Sequence, residues 1–193
     1  MNYKDEFLEI FNTYITRQGK DEFLSWLNKT DFFTAPASTK FHSAYEGGLC
    51  EHSLHVYKRL KNLVENEYGN DWSKIISAES IAIIGLLHDV CKVNFYKTDV
   101  KNVKVDGVWE QKQIYTIDDT LPYGHGEKSV YMINGFMRLT REEAFCINWH
   151  MGGFDPRAQN GYTLQNAFYM YPIAVLTHIA DMQASYLDEK LQQ

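Results

Sequence analysis

Residues 81–87 read IAIIGLL, an unbroken apolar run, and the next two residues are His88 and Asp89. A helix that is apolar on every side belongs in the middle of a core. A chain folded around this one carries an imidazole and a carboxylate to the edge of its own interior. A buried carboxylate is costly unless it is paired or binds a cation. Ser77 is placed to cap a core helix over 78–91. Taken alone, the dyad fits two readings: a histidine satisfied within the core beside an aspartate bonded to backbone donors, or the nucleus of a metal site. The run is too short to cross a membrane, which takes about 18 residues. The first ten residues, MNYKDEFLEI, lack a basic segment followed by an apolar stretch, so the expected compartment is the cytoplasm. Cys50, Cys91 and Cys146 form no CxxC pair, which fits reduced thiols.

The rest of the 193-residue chain is patterned mainly for helices, as one domain. Phe7, Leu8, Phe11, Tyr14 and Ile15 predict a helix over 3–17, and Phe23, Leu24, Trp26 and Leu27 predict another over 21–27. Residues 30–43 read as a loop and 49–68 as a long helix. Val103 and Val105 alternate up to Asp106-Gly107, and Val108, Gln113, Tyr115 and Ile117 return, which predicts a hairpin at about 94–118. Helices are expected again over 127–138 and from a Thr140/Glu143 capping box to about His150, with Gly152 and Gly153 as the stop. A last helix is expected from Pro172 to about residue 187. The expected fold class is all-α with one small inserted β-hairpin.

With 19 basic against 25 acidic residues the net charge is −6, which argues against long nucleic acids as partners and leaves room for a small anionic ligand. Lys92, Lys97, Lys101 and Lys104, opposed by Asp99, form one local basic stretch, which reads as a solvated loop.

Histidines and acids fall where the predicted helices start or stop: His52 in GGLCEHSLHVY, His88 and Asp89 in GLLHDVCK, His125 in PYGHGEKS, His150 in INWHMGG. Asp181 lies within the last helix, in LTHIADMQAS. Imidazole mixed with carboxylate suits manganese, iron, nickel, cobalt or zinc better than calcium or magnesium, which prefer oxygen alone. The order H, HD, H, H, D resembles the HD-domain superfamily of metal-dependent phosphohydrolases. FHSAYEGGLCEHSLHVY is similar to the stretch around the first metal histidine in HD modules of certain 3′-to-5′ exoribonucleases and phage-type hydrolases. HDVCK resembles the dyad with its trailing lysine, and PYGHGEKSV with INWHMGG resembles the two extra histidines of the members that bind two metals.

This resemblance spans most of the chain. It implies an HD-type helical bundle over 1–193, with N-terminal helices and loop over 1–41 and a metal-binding core over 42–187. It implies two divalent transition-metal ions: His52, His88, Asp89 and Asp181 on one, with Asp89 bridging to a second held by His125 and His150. The implied activity is hydrolysis of a phosphate ester, a nucleotide or short oligonucleotide phosphodiester, by a metal-bridged hydroxide that Asp89 orients, while Lys92 or His42 binds a nonbridging oxygen. The same scaffold also supports mixed-valent di-iron oxygenases, and a non-catalytic nucleotide-sensing module is the third reading. His55 and His178 are expected to pack or to support the ligands, and Glu127 and Ser129 to cap the helix beside His125. Cys91 stands where a small residue, often glycine, usually precedes the lysine, with no expected effect on the metals. The hairpin and the loop over 151–165 are the expected pocket walls.

Overall fold

The apolar run forms α5 (Ala78–Leu87) at the centre of the molecule, in a computed structural model that describes residues 2–105, 107–159 and 161–189. The Ser77 hydroxyl accepts from the Ser80 N–H at 3.0 Å, and all seven residues of the run are buried. The helix ends four residues earlier than the pattern predicts. His88 Nδ1–H donates to the Gly85 carbonyl at 2.9 Å, and Asp89 leaves the helical region before a 3₁₀ turn, Val90–Lys92. This side-chain bond to the backbone gives the chain an alternative to another helical turn. The dyad therefore sits in a tight turn at the end of the core helix.

α5 packs against α1 (Tyr3–Tyr14) and the long α3 (Gly48–Tyr68), with α2 (Lys20–Leu27) following α1 and a single turn, α4 (Trp72–Ile75), set against α3. Asn2 caps α1 by accepting from the Asp5 N–H at 2.8 Å, and α1 stops at Tyr14 rather than residue 17. Phe7, Phe11 and Phe23 stack in series where α1 and α2 meet. α3 packs against α5 at a point where only glycine fits: a Cβ on Gly85 would lie 2.5 Å from Tyr57 Cα. Gly85→Ala is therefore expected to force these helices apart and lower stability by about 1–3 kcal/mol, read as a lower urea midpoint with an unchanged denaturant slope.

β1 (Tyr96–Val105) and β2 (Val108–Ile117) form the expected antiparallel hairpin, in register from Tyr96 opposite Ile117 to Val105 opposite Val108. Gly107 has φ +88°, the left-handed conformation a tight hairpin turn asks for, and Asp106 lies outside the described residues. α6 (His125–Asn134) starts at the histidine itself and ends before the predicted 138, where the Asn134 side chain accepts from the Leu139 N–H at 3.1 Å. α7 (Arg141–Asn148) opens on the expected capping box. α8 (Thr163–Met170) falls partly in what the sequence reads as loop; among its eight residues only Ala167 is buried, so it shows no apolar stripe. α9 (Ile173–Gln183) gives way to a π-helical turn, Ala184–Asp188, where a continuous helix is expected. Among the described residues no helix is long and apolar enough to cross a membrane.

Candidate metal centre

The tight turn after α5 places Asp89 at the hub of a buried cluster. One of its oxygens, Oδ2, lies 3.5 Å from His52 Nε2, 3.6 Å from His88 Nε2 and 2.6 Å from Lys92 Nζ. The other, Oδ1, lies 2.8 Å from His125 Nε2 and 3.4 Å from His150 Nε2. Asp181 Oδ1 is 3.2 Å from His52 Nε2, and His52 and His88 present their Nε2 atoms to each other at 3.2 Å. The six residues singled out in the sequence thus converge, with His52, His88 and Asp181 on one side of Asp89 and His125 and His150 on the other.

Local folding explains each placement. His52 lies in the second turn of α3 rather than at its start, and the close α3–α5 contact at Gly85 brings it opposite His88. Gly126 does the same for the other pair: a Cβ there would lie 2.3 Å from the Asn148 carbonyl oxygen, so α6 rests on the end of α7 and sets His125 beside His150. The ring centroids of this last pair are 5.1 Å apart.

The far sides of the rings fix their orientation. The Nδ1–H of His52 donates to Glu189 Oε1 at 2.9 Å, that of His88 to the Gly85 carbonyl at 2.9 Å and that of His150 to the Ile147 carbonyl at 2.6 Å. A neutral ring so held turns a bare Nε2 lone pair inward, the arrangement that metal-ligating histidines adopt. Two such lone pairs at 3.2 Å are compatible only when a proton or a metal cation lies between them. Two donors on one ion at about 2.1 Å each are about 3.0 to 3.4 Å apart in octahedral or tetrahedral coordination. His150 Nε2 is buried without a hydrogen-bond partner.

The electrostatics agree with a site built for positive charge. Burial opposes protonation of His52, yet hydrogen bonds to Asp181 and Glu189 raise it to about 10. Burial pushes neighbouring His88 down to about 3. Asp89 is held well below the usual carboxylate range against its burial, by Lys92 and the surrounding histidines. One imidazole attracts a proton and the next refuses one, whereas a divalent ion satisfies both together with the carboxylates. The residues present therefore fit metal ions, and four groups of three, His42/His52/Glu189, His52/His88/Asp181, His88/Asp89/His150 and Asp89/Cys91/His125, have donor atoms close enough to share one.

Asp89, His125 and Asp181 carry the cluster to the wall of a cavity of about 340 Å³. Lys92 and His42 both line it, and His42 Nε2 is buried without a partner. Burial, reinforced by neighbouring His52, lowers His42 to about 4. Tyr96 and Ile117 at the foot of the hairpin, with Met151 and Phe154 beyond α7, form part of the wall. His55 and His178 lie beside the cluster, whereas Ser129 and Glu127 do not cap α6. His178 Nδ1–H donates to the His150 carbonyl at 2.8 Å, and His55 Nδ1 lies 3.2 Å from Glu189 Oε1. Ser129 Oγ accepts from the Cys91 N–H at 3.1 Å rather than capping α6, and Glu127 pairs with Arg157.

Two residues of the centre escaped the sequence reading. Glu189 is 137 positions from His52, and only the π-helical turn after α9 returns it to bond His52, His55 and Ser43; no pattern in the sequence announces this. Cys91 did carry a signal, two positions after Asp89. Its Sγ lies 3.4 Å from His125 Nδ1, so its thiol belongs to the cluster rather than being a neutral replacement for glycine.

One curated protein matches part of the chain. A dihydroneopterin 2′,3′-cyclic phosphate phosphodiesterase of Methanocaldococcus jannaschii is 32% identical over 87 residues, covering 44% of this chain and 31% of that protein. No family model matches, and no solved structure does. A phosphodiesterase relative and a buried His/Asp cluster able to hold metal ions point in the same direction.

Proposed function

We propose that the chain is a metal-dependent phosphohydrolase of the HD superfamily that cleaves a nucleotide or short oligonucleotide phosphodiester. The observation that carries this reading is the set of inward-facing imidazole nitrogens arranged on both sides of Asp89, which with His125 and Asp181 lines an open cavity. The partial similarity to a phosphodiesterase supports it. His52, His88, Asp89 and Asp181 would hold one ion, and Asp89, His125 and His150 a second. Divalent ions bound there supply Lewis acidity toward phosphoryl oxygens and make water a nucleophile near neutral pH.

The chain's own residues do the rest. Lys92 stays protonated because Asp89 raises its proton affinity despite burial, and its ammonium can donate to a nonbridging phosphate oxygen as a fixed positive charge. His42, neutral at pH 7, offers one ring nitrogen to the same phosphate. Asp89 holds both halves of the site in register.

Glu189 orients His52. Glu189→Ala is expected to weaken metal binding about ten- to a hundredfold, measured by metal titration, while the helical circular dichroism is unchanged.

The test of the function is elemental analysis of the untreated protein, followed by a panel of phosphomonoesters, phosphodiesters and nucleotides with the recovered metal restored. Diester cleavage that stops on chelation and returns with the metal is the expected result. Oxygen uptake without hydrolysis, or no turnover across the panel, would overturn it.

A further inference from the structure

The floor of the cavity is charged, but its mouth is not. Phe41 from the loop before α3, Ile117 at the end of β2, Phe154 from the 3₁₀ turn Gly152–Phe154, Met182 from α9 and Tyr186 from the π-helical turn all line the opening. Each is exposed, with Phe41 at 56%, Phe154 at 60% and Tyr186 at 73%. Five segments thus direct large apolar side chains to the cavity that Asp89, His125 and Asp181 also line. Among the described residues, neither Phe41 nor Tyr186 stacks on another aromatic ring; the Lys40 ammonium lies over one face of Phe41, 5.3 Å from its centroid, so a base would stack on the opposite face. Apolar groups gathered at a cavity rim mark a ligand surface.

Little is present at this rim to read the edge of a heterocycle. Ser38 Oγ is already engaged, donating to the His42 carbonyl and accepting from the Phe41 N–H. Thr39, Ser185 and the Tyr186 phenol remain, each with a hydroxyl that donates or accepts equally well, together with His178, whose Nδ1 is already engaged by the His150 carbonyl. Among the described residues, no amide or guanidinium side chain lines the cavity. Stacking tolerates any base because every base has a π-face.

We infer that the rim is a subsite for the planar heterocycle of the substrate, gripped through its faces by Phe41 and Tyr186, so that the enzyme requires an aromatic base beside the phosphate but discriminates weakly among bases. This rests on the phosphohydrolase reading, since the phosphate is placed on the cluster below.

The test is equilibrium binding by calorimetry to the metal-loaded protein, using nonhydrolysable phosphonate analogues of AMP, GMP, CMP and ribose 5-phosphate. The three base-bearing analogues should bind about tenfold to a hundredfold more tightly than the ribose analogue and within about threefold of one another. Phe41→Ala and Tyr186→Ala should remove most of that advantage at unchanged metal content, and Tyr186→Phe should keep it. Equal binding of the ribose analogue would overturn the subsite while leaving the phosphohydrolase reading intact. A preference above tenfold for one base would overturn recognition by faces alone. Failure of all four analogues to bind a metal-loaded protein that still cleaves diesters would overturn the subsite alone, and loss of binding and cleavage together would overturn both readings.

Discussion

Asp89→Ala is expected to eliminate metal retention and phosphodiester hydrolysis together, with activity falling by at least about a thousandfold. Each carboxylate oxygen faces a different pair of histidines, so the substitution removes the one anion common to both halves of the cluster. It also leaves the Lys92 ammonium, 2.6 Å from Asp89 Oδ2, without its partner, and a buried charge repels incoming cations more strongly than an exposed one. Asp89→Asn separates charge from shape, since it preserves the side-chain volume and should also lose the metal. Elemental analysis of both purified variants, beside circular dichroism, decides the matter. Full metal content with an undiminished diesterase rate in either variant would remove Asp89 from the centre.

The second large effect concerns stability. Arg17, just past the end of α1, makes a two-pronged ion pair with Glu143 at 2.7 and 2.8 Å and also reaches Glu79 at 3.2 Å. Glu143 is fully buried, accepts from Ser80 Oγ at 2.7 Å and completes the capping box with the Thr140 N–H at 2.8 Å. One guanidinium therefore ties α1 to the starts of α5 and α7. Arg17→Ala strands the Glu143 carboxylate and should cost about 3–5 kcal/mol at pH 7, visible in urea unfolding.

The pH dependence should change sign with the substitution. In the parent protein hydrogen bonds from Arg17 and the backbone outweigh burial and hold Glu143 and Glu79 below their ordinary value of 4.5. Their contribution is complete above about 4.5 and is lost as pH falls through the lower folded-state values. In Arg17→Ala burial acts on Glu143 with no cation to offset it, which raises its pKa. Protonation then relieves the stranded charge, so the gap between variant and parent should narrow as pH drops from about 6 to about 4. A gap that stays constant over that range would show that the pair is not what holds these helices.

The legible parts of the molecule were those in which one short stretch of chain settles its own structure. The run from Ile81 to Leu87 could only be a core helix, Thr140 with Glu143 could cap only the helix that they open, and the alternation about Gly107 closes a hairpin by itself. The spacing of six ligand-type residues suggested their convergence through resemblance, but periodicity alone could not bring them together. The features that stayed hidden depended on contacts remote in sequence. Glu189 reaches His52 only because the last helix widens into a π-helical turn, and α8 has too few buried residues to display a helical stripe. Helix ends depart from the periodic pattern where a side chain takes a backbone partner, as His88 does with Gly85 and Asn134 does with Leu139.

The bare-backbone contacts at Gly85 and Gly126 also bear on selectivity by ionic radius. Where long side chains separate two helices, a rotamer change lets the gap widen. Here main chain rests directly against its neighbour, so the span between opposing imidazoles is set by the scaffold. An ion of different radius would therefore have to be accommodated by turning the imidazole rings about their own side-chain bonds, not by sliding the helices that carry them.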